Sequence, residues 1–151
     1  MSRTAVTDAG SAATAARSAI GLAEFEAGRI EPGEFRHGDH VRIAWLYLRR
    51  YSLPVSLGRY CAGLRRLTKK FGVEAKYHET ITWFFLLQVA ERLQDREPAV
   101  PRHENDAWDD FRARNRDLFS GWRALLGRYY SKARLESAEA RRQFLLPDRV
   151  I

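Results

Sequence analysis

Residues 35–50 read FRHGDHVRIAWLYLRR, and this stretch decides the fold. Its apolar residues recur at the spacing of an α-helix rather than alternating as they would in a strand. His37 and His40 are three residues apart, so they share one face of that helix. The same face continues through Ala44 and Leu48, which indicates that it is turned toward the core. The stretch therefore predicts a core helix that begins with two inward-facing imidazoles.

A second apolar stretch, residues 77–90, reads YHETITWFFLLQVA and has a histidine near its start. At helical spacing His78 is followed by Ile81, Phe85 and Val89, which again form a core-facing stripe. Imidazoles from two segments are thus expected to point into the interior. Buried polar groups need partners, and the partners available here are one another, a carboxylate, a bound metal ion or a ligand.

Helical spacing continues through nearly every segment after Ile20, and no run alternates with the period of a strand. The predicted helices cover about residues 20–27, 37–50, 53–72, 78–97, 105–118, 122–129 and 137–144. The connections between them are short, so consecutive helices are expected to pack antiparallel. We predict an all-α fold, a single compact helical bundle of five to seven helices over residues 19–151. Residues 1–18, rich in Ala, Ser and Thr, are predicted to form a flexible N-terminal tail.

The third predicted helix has recognisable sequence features at both ends. Ser52 is a suitable N-cap with Pro54 in the first turn, and Gly72 is a suitable C-terminal glycine. Gly58 and Gly63 lie inside this helix, where a glycine costs about 1 kcal/mol relative to alanine. Close packing of a neighbouring element against these glycines is the expected compensation.

The composition is that of an ordinary globular domain, with 45% hydrophobic and 30% charged residues in a chain of 151. A chain of this length forms one domain with a substantial core. Cys61 is the only cysteine, which excludes an intrachain disulfide, and it is expected to be buried and inert. The longest apolar run, residues 81–90, is too short to cross a bilayer. These features predict a cytoplasmic protein with no membrane segment.

The net charge of +7 raises the question of a nucleic-acid partner. Most of the basic residues are arginine, scattered over every segment and often beside an acidic residue, so no organised basic stripe is visible. We therefore predict no specific nucleic-acid partner, and any binding to DNA or RNA should be weak and lost with salt. No glycine-rich phosphate loop is present, so no nucleotide cofactor is indicated.

Metal binding is the first function that the histidines indicate. Imidazole nitrogen suits iron, copper and zinc alike, and His37, His40 and His78 from two facing helices can hold one ion with an open position. Glu34, in the preceding turn, can add a carboxylate to this set. The predicted cofactor is therefore one non-haem Fe, Cu or Zn ion, although the E-x-x-H pairs of di-iron bundles and the H-E-x-x-H of zinc proteases are absent.

Two further interpretations of the same residues remain open. In the first, His37, His40, His78 and Glu79 exchange protons with a substrate without a metal. Side chains expected to bind that substrate are Tyr47, Arg42, Tyr77 and Thr82. In the second, the histidines are structural: two of them cap helices and His40 is a hydrogen-bonded core residue.

Three stretches resemble a family of small, mostly uncharacterised bacterial helical proteins. The first is F-x-H-x-x-H-V-R-x-A-W-x-Y-L over residues 35–48, and the second is Y-H-E-T-x-T over residues 77–82. The third, over residues 135–148, is L-x-S-x-x-A-R-x-x-F-x-x-P-D. The resemblance implies that the histidine stretches and the C-terminal Pro147-Asp148 belong to one domain. It assigns no catalytic role to any residue of this chain.

Taken together, these patterns predict a small-molecule enzyme whose pocket is lined by histidines and holds a metal ion inside a helical bundle. The alternative is a non-catalytic helical module that binds a ligand or another protein. A small-molecule substrate is the expected partner, and the sequence leaves the reaction and the oligomeric state open.

Overall fold

The computed structural model describes residues 20–94 and 103–149, and the regular structure in these ranges is entirely helical. The predicted all-α bundle is confirmed. Eight α-helices lie within the described ranges: α1 Leu22–Ala27, α2 His37–Arg50, α3 Leu53–Lys70, α4 Glu79–Gln94, α5 Glu104–Arg114, α6 Trp122–Tyr129, α7 Lys132–Glu136 and α8 Ala138–Arg142. Short 3₁₀ helices at Glu74–Lys76 and Arg116–Leu118 join α3 to α4 and α5 to α6.

The central element of the bundle is α2. It packs most closely against α4, and it also contacts α3 and α1. All seven residues from Val41 to Tyr47 are buried, so the helix is covered on every side rather than along one stripe. Helices that are buried all round lie in the middle of a fold. The histidines at the start of α2 therefore sit at one end of the core.

The ends of α3 confirm the caps predicted from the sequence. The Ser52 side chain accepts the N–H of Val55 at 3.5 Å, and Pro54 lies in the first turn. The helix ends at Lys70, and Gly72 follows with a φ of 69°, a left-handed conformation that glycine adopts without strain. The chain then turns through the short Glu74–Lys76 helix, which returns it to the end of the bundle where α2 begins.

Several helix boundaries differ from the predicted ones. α4 begins at Glu79 rather than His78, and α5 begins at Glu104 rather than after Asn105, with His103 at its N-cap position. α7 was not predicted from the sequence. The predicted end of the fourth helix at residue 97 and the tail of residues 1–18 lie outside the described residues.

Two expectations about individual features are met. Cys61 is a free, buried thiol. Ser137 caps the last helix by accepting the N–H of Ala140 at 3.1 Å. No helix among residues 20–94 and 103–149 has the length and apolar character needed to span a membrane.

Hydrogen bonds hold the C-terminal segment, residues 143–149, against the bundle. The Tyr130 hydroxyl donates to the carbonyl oxygen of Leu145 at 2.7 Å. Asp148 accepts the backbone N–H of Ser131 at 2.8 Å and also the Ser131 hydroxyl. These bonds hold an otherwise irregular segment against α6 and α7.

Replacing Thr80 with valine is expected to lower the free energy of unfolding by about 2 kcal/mol. The fully buried Thr80 hydroxyl donates to the carbonyl of Ala140 at 2.7 Å, with the carbonyl of Gln143 at 2.9 Å, and it accepts the N–H of Leu145 at 3.1 Å. Valine keeps the shape and leaves these groups without their partner. Urea unfolding measures the loss, and Thr68→Val, which removes a hydroxyl bonded within its own helix, should change stability far less.

Candidate functional site

A cavity of about 300 Å³ lies where α2, α3 and α4 meet, and we call it the histidine pocket. Its walls include His37, His40 and His78, two aromatic residues, Phe85 and Trp122, and the exposed Lys76. The three histidines selected from the sequence thus lie along one cavity.

The pocket lies at the ends of two helices that begin side by side. His37 and His40 come from the first turn of α2, whereas Ile81 and Phe85 come from the first two turns of α4. The rings of His37 and Phe85 meet edge to face with their centroids 4.9 Å apart. The starts of the two helices are therefore level, which is the placement that a site shared by these residues requires.

His37 has one ring nitrogen bound and one available. Its Nε2 donates to the carbonyl oxygen of Leu118 at 2.7 Å, which fixes the proton on Nε2 because a carbonyl only accepts. The ring stacks on Trp122 with centroids 4.7 Å apart. Burial lowers the pKa of His37 even though the Leu118 bond acts in the opposite direction. The neutral ring is left with Nδ1 as a hydrogen-bond acceptor.

Of the three histidines that line the pocket, His40 is the one whose ring has no hydrogen-bond partner among the described residues. The ring packs against Phe35 with centroids 4.4 Å apart, and the Tyr60 hydroxyl donates to the main-chain carbonyl of His40 rather than to the ring. Burial lowers the pKa of His40 to about 3, and the neighbouring His37 acts in the same direction. At neutral pH the ring is uncharged and offers an acceptor nitrogen to the pocket.

His78 uses both of its ring nitrogens within the fold. Nδ1 accepts the N–H of Ile81 at 3.2 Å, which caps the start of α4, and Nε2 donates to the carbonyl of Leu135 at 2.7 Å. Burial lowers the pKa of His78. This ring lines the pocket but has no lone pair left for a ligand, so its arrangement matches the capping interpretation.

Glu79 is buried in a network beside the pocket and does not line it. Its carboxylate accepts the Tyr77 hydroxyl and the indole N–H of Trp83, each at 2.7 Å, and it pairs with Arg65. Burial and the bond to Glu79 raise the pKa of Tyr77. The predicted catalytic role would need Glu79 beside the free histidine nitrogens, but the residue does not line the pocket.

Three other residues predicted for the site lie elsewhere. Glu34 is exposed in the turn before α2. Tyr47 is fully buried nearly three turns along α2, where its hydroxyl donates to Glu26 at 2.9 Å. Arg42 lies on another side of α2, with its guanidinium 5.4 Å from the Trp108 ring centroid. None of the three lines the pocket, because Glu34 precedes α2, Tyr47 lies about two turns beyond His40, and Arg42 faces another side of the helix.

Tyr77 and Thr82 do line the pocket, yet their hydroxyls are already bonded. The Thr82 hydroxyl donates to the carbonyl of His78 at 2.7 Å. Several lining residues were not selected from the sequence, and Lys76 and Trp122 are two of them. Lys76 directly precedes the Tyr77-His78 pair, so its position was a usable indication, whereas Trp122 is remote in sequence from every other lining residue.

The donor set does not fit the predicted three-histidine metal site. Both nitrogens of His78 and one of His37 are engaged, so only Nδ1 of His37 and the ring of His40 remain for an ion. In the part of the chain that the structure describes, no group of three or more His, Cys, Asp or Glu side chains is suited to hold a metal. A zinc-type site with three protein ligands would require His78 to leave its cap.

Comparison with known proteins adds no relative: the chain matches no protein-family model, no curated protein and no solved structure. The resemblance to small bacterial helical proteins therefore stays a prediction. The second and third of the stretches that carry it are in contact, because His78 bonds to Leu135 and Thr80 bonds to Leu145.

Proposed function

We propose that the histidine pocket binds a small organic molecule with an aromatic body and a hydrogen-bond donor that His40 accepts. The observation that carries the proposal is the ring of His40, which lines the cavity without a hydrogen bond to any described residue. His40 is half-buried, and no fully buried side-chain nitrogen or oxygen among the described residues lacks a partner, so its ring nitrogens are accessible from the cavity. A donor on a bound ligand can take the place of water at this acceptor.

The remaining walls support an apolar, flat ligand. Leu64, Ile81, Phe85 and Trp122 line the cavity, and its volume lies at the small end of the range for ligand sites. Aromatic side chains favour a ligand ring that stacks on their faces or meets them edge to face. A molecule with a single aromatic ring suits this space and these surfaces.

Binding has more support than catalysis. A general acid or base works best when its pKa lies near the working pH, and burial lowers the pKa of His40 to about 3. Such a ring accepts a hydrogen bond readily but takes up a proton poorly at neutral pH. The non-catalytic ligand-binding module is therefore our conclusion, while the metal-dependent enzyme stays a prediction. The free thiol of Cys61 suits a reducing compartment, so the cytoplasm is the proposed location.

A matched pair of neutral probes tests the proposal. We expect para-hydroxyphenylacetamide to bind about fivefold more tightly than phenylacetamide, because the added hydroxyl donates to His40. In His40→Phe, which keeps a ring and removes both nitrogens, the two probes should bind equally. Titration followed by two-dimensional amide and indole NMR spectra measures both affinities and shows where the probe binds.

The indole resonance of Trp122 is the readout of location, and it should move while that of Trp45, in the core away from the pocket, stays in place. Tyr47→Phe is the matched control, since it removes a polar group outside the pocket, and it should keep the preference for the hydroxyl. A preference that persists in His40→Phe, or the absence of any shift at Trp122, contradicts the proposal. Zinc, iron or copper bound stoichiometrically, and lost in His37→Ala, supports the enzyme instead.

A further inference from the structure

We infer that the natural ligand of the histidine pocket is an anion, an aromatic carboxylate whose charged end is bound by Lys76 at the mouth. This inference rests on the proposed function and specifies its ligand class. It adds a charged contact at the open end of the cavity to the hydrogen bond at His40. The ligand would thus be recognised at both ends of its aromatic body.

Lys76 is placed at the pocket by the backbone around it. It ends the 3₁₀ helix Glu74–Lys76, in which its N–H bonds to the carbonyl of Val73 at 2.9 Å. Among the residues that line the pocket it is the exposed one. Its ammonium group has no ion pair and no hydrogen bond within residues 20–94 and 103–149, so its charge is free to meet a ligand.

The charges around the pocket favour an anion. No Asp or Glu belongs to the lining formed by the described residues, and the nearby carboxylate of Glu79 is paired with Arg65. Arg123 and Arg141 act on the pocket from outside it: after burial, their charges further lower the pKa of His37 and of His78. A positive potential therefore reaches the cavity from several sides.

The positions of the polar groups set the orientation of the ligand. Lys76 is exposed, whereas His40 is half-buried, with its ring packed against Phe35 and its main-chain carbonyl bonded by Tyr60. A ligand that satisfies both must carry its anionic group at one end and its hydrogen-bond donor at the other. Apolar walls between the two groups accept the ring, so a hydroxylated aromatic acid meets every requirement.

The test compares an acid with its neutral amide. We expect para-hydroxyphenylacetate to bind about fivefold more tightly than para-hydroxyphenylacetamide at low ionic strength, with less advantage at physiological salt. In Lys76→Met the acid should lose this advantage while the amide binds as before. Lys132→Met removes the same charge from an exposed position on α7 and should keep the full advantage.

Each outcome separates this inference from the proposed function. If the acid and the amide bind equally and both move the Trp122 resonance, the pocket binds small molecules and the anion inference is wrong. If the acid keeps its advantage in Lys76→Met, the charge is recognised elsewhere, for example in the shallow groove beside Arg141 and Arg142, and the inference is again wrong. If neither probe moves the Trp122 resonance, the proposed function fails as well.

Discussion

Replacing Gly63 with alanine is expected to destabilise the protein by at least about 2 kcal/mol. A Cβ atom added at this position would lie 2.2 Å from Cε1 and 2.4 Å from Cζ of Phe25. Phe25 is fully buried, and its ring contacts the rings of Phe35, Tyr47 and Tyr60, so it has little room to move aside. The clash outweighs the gain in helix propensity of about 1 kcal/mol that alanine brings.

Gly58 provides the matched control on the same helix. It is exposed, and a Cβ atom added there meets nothing within 4 Å. Gly58→Ala should therefore stabilise the protein by about 0.5–1 kcal/mol through helix propensity alone. The two substitutions make the same chemical change in α3, so opposite signs in urea unfolding isolate the contact with Phe25.

A double-mutant cycle identifies the atoms responsible. Phe25→Leu removes the Cε1 and Cζ atoms that the new methyl group would meet. In that background Gly63→Ala should cost little or become stabilising, which gives a coupling energy of about 2 kcal/mol. An equal loss in both backgrounds would show that the close approach of α1 to α3 is not the cause.

The same two glycines show how far the sequence determines the packing. Both were expected to be compensated by close packing, and this holds for Gly63 only. Gly63 lies between Tyr60 and Leu67 at helical spacing, on the buried stripe of α3, whereas Gly58 lies off that stripe. The helical spacing of the apolar residues could therefore have distinguished the two glycines. The cost of a glycine is offset only where another element packs closely against it.

For the site, helical spacing was enough to select residues but not to assign them roles. Spacing along a helix determines which face a side chain occupies. On that basis His37, His40 and His78 were selected as inward-facing, and all three line one pocket. Helical spacing could not show that His37 bonds to Leu118 and His78 to Leu135, carbonyls 81 and 57 residues away in the chain. Those distant bonds decide which nitrogens remain free.

The second large effect is expected from pH: acid should destabilise the protein through the pocket histidines. The pKa of His40 is about 3 in the folded protein, well below the ordinary value of 6.5 that it regains on unfolding. Between these two pH values the unfolded chain therefore binds a proton at His40 that the folded protein does not bind. The stability linked to this ring is fully present above about pH 6.5 and is lost as the pH falls toward 3.

Between pH 7 and pH 5 the loss from His40 alone amounts to about 2 kcal/mol. Burial also lowers the pKa of His37 and of His78, so both rings add to the loss with the same sign. Asp39 acts in the opposite direction, since burial raises its pKa. Asp117, whose pKa is lowered by Arg92, loses its contribution only below about pH 4, outside this window.

Urea unfolding of the wild-type protein and of His40→Phe at several pH values between 7 and 5 measures this contribution. The variant should lose about 2 kcal/mol less than the wild type over the window, because phenylalanine cannot be protonated. An unchanged slope in His40→Phe would mean that the ring takes up its proton as easily in the folded protein as in the unfolded chain. The neutral acceptor on which the proposed ligand contact depends would then be lost below about pH 6.5, where most of the rings carry a proton.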